Sequence, residues 1–330
     1  MRSQVAVSVL TLLASASMGL CAGDLAQAAP WDYRTKIEDG FEGSDFAHSC
    51  GLYYRQSKEQ AAEGYAFQSD MVRDGKRALK LTVTPKCRPD EENCSERAEV
   101  WEKTVSRVPF DKGVWYGISV RFQAPMPKLH HRFVFAQWKR ESGSTRMQAI
   151  SPYLALRMKH GKIYATVETN AYPAQKSTKA GSLAECTAGD APVWLRPHEG
   201  QMRALVAYED GFQPKVGARF AACSNRIKIT TYGHSMPSAT SGWIDFAVYS
   251  KPGADGDGHL ELFANGLHLA TIRGHIGQKA EGLGPNQYFK FGLYRDPAPR
   301  SWTVFYDNFV RSADCMDVLK NEALCSSIKY

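Results

Sequence analysis

The 330-residue chain has no C-x-x-C pair, no long run of Lys or Arg, and, beyond Leu20, no apolar stretch long enough to cross a bilayer as a helix. The first absence argues against cysteine-bound zinc, the second against nucleic-acid recognition, and the third against a membrane-spanning helix in the mature protein. Helical periodicity is scarce too. Only Ser57–Glu63 and a stub at Asp314–Glu322 carry it, and no internal repeat or low-complexity tract stands out.

What is present begins with an export signal. Arg2 precedes an apolar run from Val5 to Leu20, and Ala26-Gln27-Ala28 supplies an A-x-A cleavage site, so a mature chain beginning at Ala29 is expected. Cys21 raises lipidation, but the bulky Leu20 before it stands where a small residue is wanted. The remainder is long enough for one all-β domain with a large core. The net charge is +7, and removing the signal, with Arg2 and Asp24, does not change it. That excess suits a polyanion, and export makes an acidic glycan a better partner than nucleic acid. The protein is expected to be secreted or periplasmic, monomeric, and without a membrane or nucleic-acid partner.

Without Cys21, the cysteines are Cys50, Cys87, Cys94, Cys186, Cys223, Cys315 and Cys325. In an oxidising compartment they read as disulfides. Closeness in sequence suggests Cys87–Cys94, Cys186–Cys223 and Cys315–Cys325, leaving Cys50 over.

Strands dominate the rest. Segments such as 77–84, 114–122 and 132–138 are short, rich in β-branched and aromatic residues, and alternate in polarity. Asn265-Gly266 between two apolar runs marks a hairpin, because a type I′ turn needs positive φ at both central residues. Many short strands with such turns predict an all-β, two-sheet β-jelly roll. The Pro- and Gly-rich stretch from Ala171 to Ser241 alternates little and is read as a disulfide-tied insertion beside the cleft.

Three segments gather long polar side chains on one strand face: Arg97, Glu99, Trp101 and Lys103; Phe135, Gln137 and Lys139; and Tyr288, Lys290, Gly292 and Tyr294. In the last, Phe289, Phe291 and Leu293 make a clean apolar face opposite. For each segment alone, an ordinary solvated sheet face is an adequate account; three together point to a lined groove.

The segments Arg97-Ala-Glu-Val, Gln137-Trp-Lys and Tyr288-Phe-Lys-Phe-Gly-Leu-Tyr-Arg295 resemble the signature strands of jelly-roll polysaccharide lyases, with Trp243-Ile-Asp-Phe-Ala-Val resembling the later half of the heparinase I and glucuronan lyase families. The resemblance runs in order from about Phe41 to Val310. It implies a concave sheet that holds a uronate polymer, glucuronan or another glucuronate polymer foremost, and cleaves it by β-elimination. It also implies that Arg97 and Gln137 bind the uronate carboxylate and that Tyr294 is the acid. Residue chemistry agrees, since Arg offers a planar fork and Gln a neutral donor. Lys290, Tyr288, Arg295, Trp138 and His131 are expected to contact substrate, and Glu99 to orient Arg97.

One departure stands out. Alginate lyases of this fold and heparinase I carry His where this chain has Lys139. A free Lys titrates near 10.4, so a Lys base near neutrality requires about 4 kcal/mol of bias. Either Tyr294 serves as both base and acid, with Lys139 pairing with substrate, or a His supplies the base. His48 is one candidate; His131 lies about 20 Å from Gln137 along an unbroken strand. The first is favoured. No cofactor is expected to be required; calcium stays open, and Asp255-Gly-Asp257-Gly reads as a turn before it reads as a calcium loop. A glycoside hydrolase needs two carboxylates across a cleft, whereas Glu96, Glu99 and Glu102 scatter over both faces of one strand. A non-catalytic lectin is the other alternative.

Overall fold

Alternation of apolar and polar residues produces strands almost throughout the computed structural model, which describes residues 32–43, 53–55, 63–88, 91, 94–127, 132–143, 150–172, 175–176, 183–214 and 219–330. The export signal, Cys21, His48, Cys50, His131 and residues 57–62 lie outside the described residues; Glu63, placed with the last of these in a helix by the sequence, begins a strand. Residues 32–330 form one unit. The strands run β1 (Ile37–Asp39), β2 (Tyr53–Arg55), β3 (Glu63–Gln68), β4 (Ala78–Val83), β5 (Glu96–Glu102), β6 (Val108–Pro109), β7 (Val114–Phe122), β8 (Phe133–Ser142), β9 (Leu154–Lys159) and β10 (Lys162–Thr169). There follow β11 (Gln175–Lys176), β12 (Asp190–Arg196), β13 (Gln201–Tyr208), β14 (Ala222–Thr231), β15 (Trp243–Lys251), β16 (Gly253–Ala264), β17 (Leu267–Ile276), β18 (Leu283–Arg295) and β19 (Trp302–Ser312).

Antiparallel pairing arranges them as a β-jelly roll of two layers. The front layer is ordered β2–β5–β18–β8–β9–β10–β13–β12. The back layer is ordered β3–β4–β19–β7–β15–β16–β17, and β14 joins the layers by pairing with both β12 and β17. Between them the inward faces interdigitate as aromatic pairs. Phe289 of the front meets Tyr116 of the back at 5.4 Å between ring centroids, Phe135 meets Phe122 at 4.9 Å, and Phe291 meets Tyr306 at 5.2 Å. Burying such rings supplies the main stabilising term of the fold.

The Asn265-Gly266 turn joins β16 to β17 with φ of 50° and 73°, both left-handed as a type I′ turn demands. Disulfides link Cys87 to Cys94, Cys186 to Cys223 and Cys315 to Cys325, which suits an oxidising compartment. No helix among the described residues is long and apolar enough to cross a membrane.

Three readings change. The stretch from Ala171 to Ser241 carries β11, β12, β13 and β14, so much of it is sheet; its two-residue alternation is hidden by Pro192 and by register shifts. The stub at Asp314–Glu322 is two helices, Met316–Leu319 and Glu322–Ser327, broken at left-handed Lys320. Phe135 does not share a face with Gln137. The register slips between Val134 and Ala136, sending Phe133 and Phe135, then Ala136 and Trp138, into the core and leaving Gln137 and Lys139 on the outer face.

Candidate active site

Strands β5, β18 and β8 lie side by side, and their register brings the polar face together. Tyr294 stands opposite Arg97, Gly292 opposite Glu99, and Lys290 between Trp101 on one side and Gln137 on the other; Tyr288 stands opposite Lys139. Gly292 is required at this crossing. Its φ is +115°, and a Cβ there would sit 2.2 Å from the Ala98 carbonyl oxygen and 2.8 Å from Glu99 Cα.

Glu99, 2% exposed, is the hub. Gln137 Nε2 donates to its Oε1 at 2.5 Å, Lys290 Nζ lies 2.8 Å from its Oε2, and Arg97 Nε lies 3.9 Å from the same oxygen. The Lys290 ammonium also sits 3.5 Å from the centre of the Trp101 ring, which stacks on Tyr288. Tyr294 is flanked by two guanidinium groups, those of Arg97 at 4.2 Å and Arg132 at 4.4 Å from its ring centre. Asp296 holds Arg132 in place with a 2.5 Å ion pair.

Charge is concentrated here beyond what one carboxylate neutralises. Burial pushes Lys290 down to about 7; Glu99 pulls it back up, while Lys139 and Arg97 push it further down. Burial pushes Lys139 down to about 8, with Glu99 and Glu168 opposing and Arg97 assisting. Among the described residues Lys139 has no ion-pair partner. With Lys139 and Lys290 protonated, three cations face one carboxylate, and the site is arranged to receive an anion beside a phenolic hydroxyl.

The structure therefore brings Arg97, Glu99, Gln137, Lys139, Tyr288, Lys290 and Tyr294 to one face. Lys290, expected to reach substrate, instead lies 2% exposed with its ammonium on Glu99. Two expected contacts are corrected outright. Trp138 packs in the core against Phe289 at 4.6 Å and Tyr116 at 5.9 Å, one residue out of phase with the site. Arg295, one residue beyond Tyr294, turns away, pairs with Glu96 at 2.7 Å and donates to the Arg300 carbonyl; it is 1% exposed. Asp255 and Asp257 pair with Lys279 and Lys251, so each has a lysine partner. Among the described residues no group of three or more His, Cys, Asp or Glu is placed to hold a metal ion.

Sequence reasoning missed Arg132 and a second charged group farther along the front layer, Glu168 with Arg157, Arg196 and Arg203. The alternation of Lys162–Thr169, with Tyr164, Thr166 and Glu168 in phase, carried that signal.

A polysaccharide lyase family model matches residues 49–310. Among solved structures, the endo-β-1,4-glucuronan lyase from the fungus Trichoderma reesei is similar at 15% identity over 82% of this chain and 94% of that chain, with a TM-score of 0.52. An alginate lyase from Pseudomonas aeruginosa is similar at 14% identity over 79% and 88% of the two chains, with a TM-score of 0.37. No curated protein matches the sequence. The fungal enzyme has the same fold.

Proposed function

The chain belongs to the polysaccharide lyase family, enzymes that break carbon–oxygen bonds in polysaccharides, and from that premise we propose that it cleaves a uronate polymer by β-elimination. The observation that carries this reading is the surplus of positive charge around Glu99, with Lys139 lacking an ion-pair partner among the described residues and Tyr294 partly exposed on the same sheet face, against Arg97.

A uronate carboxylate entering the site meets the Arg97 guanidinium, the remaining amide hydrogen of Gln137 and the Lys139 ammonium. Neutralising that carboxylate makes the proton on C5 acidic, because the charge left on its removal delocalises into the carboxyl group. The Tyr294 oxygen, entering this step as the phenolate, takes this proton and becomes the hydroxyl. The C5–H electron pair becomes the C4–C5 double bond, the C4–O bond breaks, and the departing oxygen recovers a proton from the Tyr294 hydroxyl. Positioned proton transfer of this kind contributes about 10²–10⁴-fold. Glu99 does not touch substrate in this scheme; it fixes Gln137 and compensates the buried Lys290.

A second reading makes Lys139 the base and Tyr294 only the acid. It is favoured by the lowering of Lys139 to about 8, which leaves a neutral fraction near physiological pH. The two readings predict opposite pH dependence.

Glucuronan, the substrate in the name of the fungal enzyme of like fold, is the first polymer to test, followed by alginate and heparin-like chains. The experiment is to incubate the purified protein with each and record the ultraviolet absorbance of the new conjugated double bond, with Tyr294→Phe as control. Reducing ends without absorbance would indicate a hydrolase, and binding without either a lectin; both outcomes sink the proposal.

A further inference from the structure

Lys139, Glu168, Arg203 and Trp194 lie on one transverse line across the front layer. Glu168 pairs with Arg203 and Arg203 with Trp194 in the strand register, and the Glu168 backbone N–H reaches the Tyr153 carbonyl, next to Leu154, the partner of Trp138. Lys139 to Arg203 crosses three strand spacings, about 14 Å. Glu168 is fully buried and carries three guanidinium groups. Arg157 Nη2 donates to Oε1 at 3.0 Å, Arg203 Nε to Oε1 at 2.8 Å, and Arg196 Nη1 to Oε2 at 3.1 Å. Burial alone would raise Glu168, but Arg203, Arg157 and Arg196 hold it below the ordinary carboxylate range, so it stays ionised.

One carboxylate cannot neutralise three guanidinium groups, and Glu199, which pairs with Arg196, is the second acid here. A fourth guanidinium, Arg219, lies 4.5 Å from the centre of the partly buried Trp194 ring, with Arg203 at 5.0 Å. The cluster is therefore cationic, with donors already held rigid by Glu168 and an indole face beside them. Rigid guanidinium forks recognise a carboxylate, and the Trp194 ring, with Arg196, Arg203 and Arg219 at 5.7, 5.0 and 4.5 Å from its centre, gathers them on one spot.

The geometry points to a second uronate site: Arg203 and Arg196, braced by Glu168, and Arg219, which lies with Arg203 against the Trp194 ring, hold a carboxylate of the same polymer a few sugars from the bond that breaks. This rests on the lyase reading above and adds to it that the enzyme selects long chains, charged at more than one position. A few sugars span the 14 Å from Lys139, so an oligomer that occupies only the Tyr294 site does not reach the cluster.

The test compares kcat/KM on uronate polymer with that on the shortest oligomer cleaved, for the wild type, Arg203→Gln and Arg219→Gln. The polymer-to-oligomer ratio should fall about tenfold in Arg203→Gln, the loss of a charge-assisted hydrogen bond, and by less in Arg219→Gln. The fall should appear in KM. A ratio equal to the wild type's in both variants, or an equal loss at every length, overturns the second site while leaving the lyase reading intact. If Arg203→Gln fails to fold, Arg219→Gln, whose guanidinium contacts the Trp194 ring, decides alone. No cleavage of any uronate polymer by the wild type overturns both.

Discussion

Gln137 and Glu99 are hydrogen-bonded at 2.5 Å although β18 runs between their strands. Gly292, opposite Glu99, lets β18 lie close against β5 at this crossing, where a Cβ would sit 2.2 Å from the Ala98 carbonyl oxygen. The carboxylate that accepts the Gln137 hydrogen bond also compensates Lys290, so one residue ties together the three strands of the site.

Removing that carboxylate should therefore cost both stability and activity. Glu99→Ala leaves the Lys290 ammonium buried without its counter-ion, a change worth about 3–5 kcal/mol. Glu99→Gln keeps a partner for Gln137 and should lose less stability than Glu99→Ala. Urea unfolding, with absorbance assays on the folded fraction, checks both; a Glu99→Ala midpoint equal to the wild type's would refute the hub.

Tyr294→Phe should lower kcat by about 10²–10⁴-fold with little change in KM or melting temperature. The phenyl ring keeps its place between Arg97 and Arg132, so only the hydroxyl is lost. Retention of most activity would remove Tyr294 from the chemistry.

Arg295→Met separates a structural arginine from a substrate-binding one. Glu96 and Arg295 are each 1% exposed, and truncating one leaves the other buried and charged, at about 3–5 kcal/mol. The variant should melt lower while its KM for polymer stays that of the wild type. A raised KM at unchanged stability would restore Arg295 to the binding surface.

These corrections show what the sequence could and could not tell. Phe289, Phe291 and Leu293 alternate with Tyr288, Lys290 and Tyr294 without interruption, so both faces of β18 were legible, and the jelly roll with them. In β8 a register slip at Val134–Ala136 inverts the alternation, and a two-residue period carried through Phe135 fails there. Resemblance also extends a motif past its functional end. Arg295 follows Tyr294 in sequence, but the pleat turns it to the opposite face. The Glu168 cluster draws on β9, β10, β12 and β13, segments joined only by pairing, so the alternation of β10 marks Glu168 but no local pattern shows which arginines meet it.

The disulfide between Cys186 and Cys223 closes a 37-residue separation, for which loop entropy predicts about 4 kcal/mol. It ties the segment before β12 to β14, close to the Trp194 cluster. Cys186→Ser/Cys223→Ser should unfold at markedly lower denaturant concentration, with the greater gain in amide exchange across β12 and β13 than across β5 and β18. Equal protection in all four strands would show that the crosslink does not stabilise this end locally.

The pH dependence decides what Lys139 does. Its pKa of about 8 means that the ammonium is present below that pH and lost above it. If Lys139 neutralises the uronate carboxylate, kcat/KM falls as pH rises through about 8, and Lys139→Arg, charged throughout this range, moves the fall to higher pH. If Lys139 is the base, kcat/KM instead rises through about 8, and Lys139→Met abolishes the rise. Lys290, at about 7, titrates nearby, but neither substitution removes it, so only a limb that follows Lys139 counts. Folding supplies an independent check. Between about 8 and the unfolded value near 10.4, the unfolded chain holds the Lys139 proton and the folded chain does not, so stability rises with pH across that window. Lys139→Met should flatten that rise in urea titrations at successive pH values. A rise of the same size in the variant would mean that Lys139 is not held in the environment that depresses it.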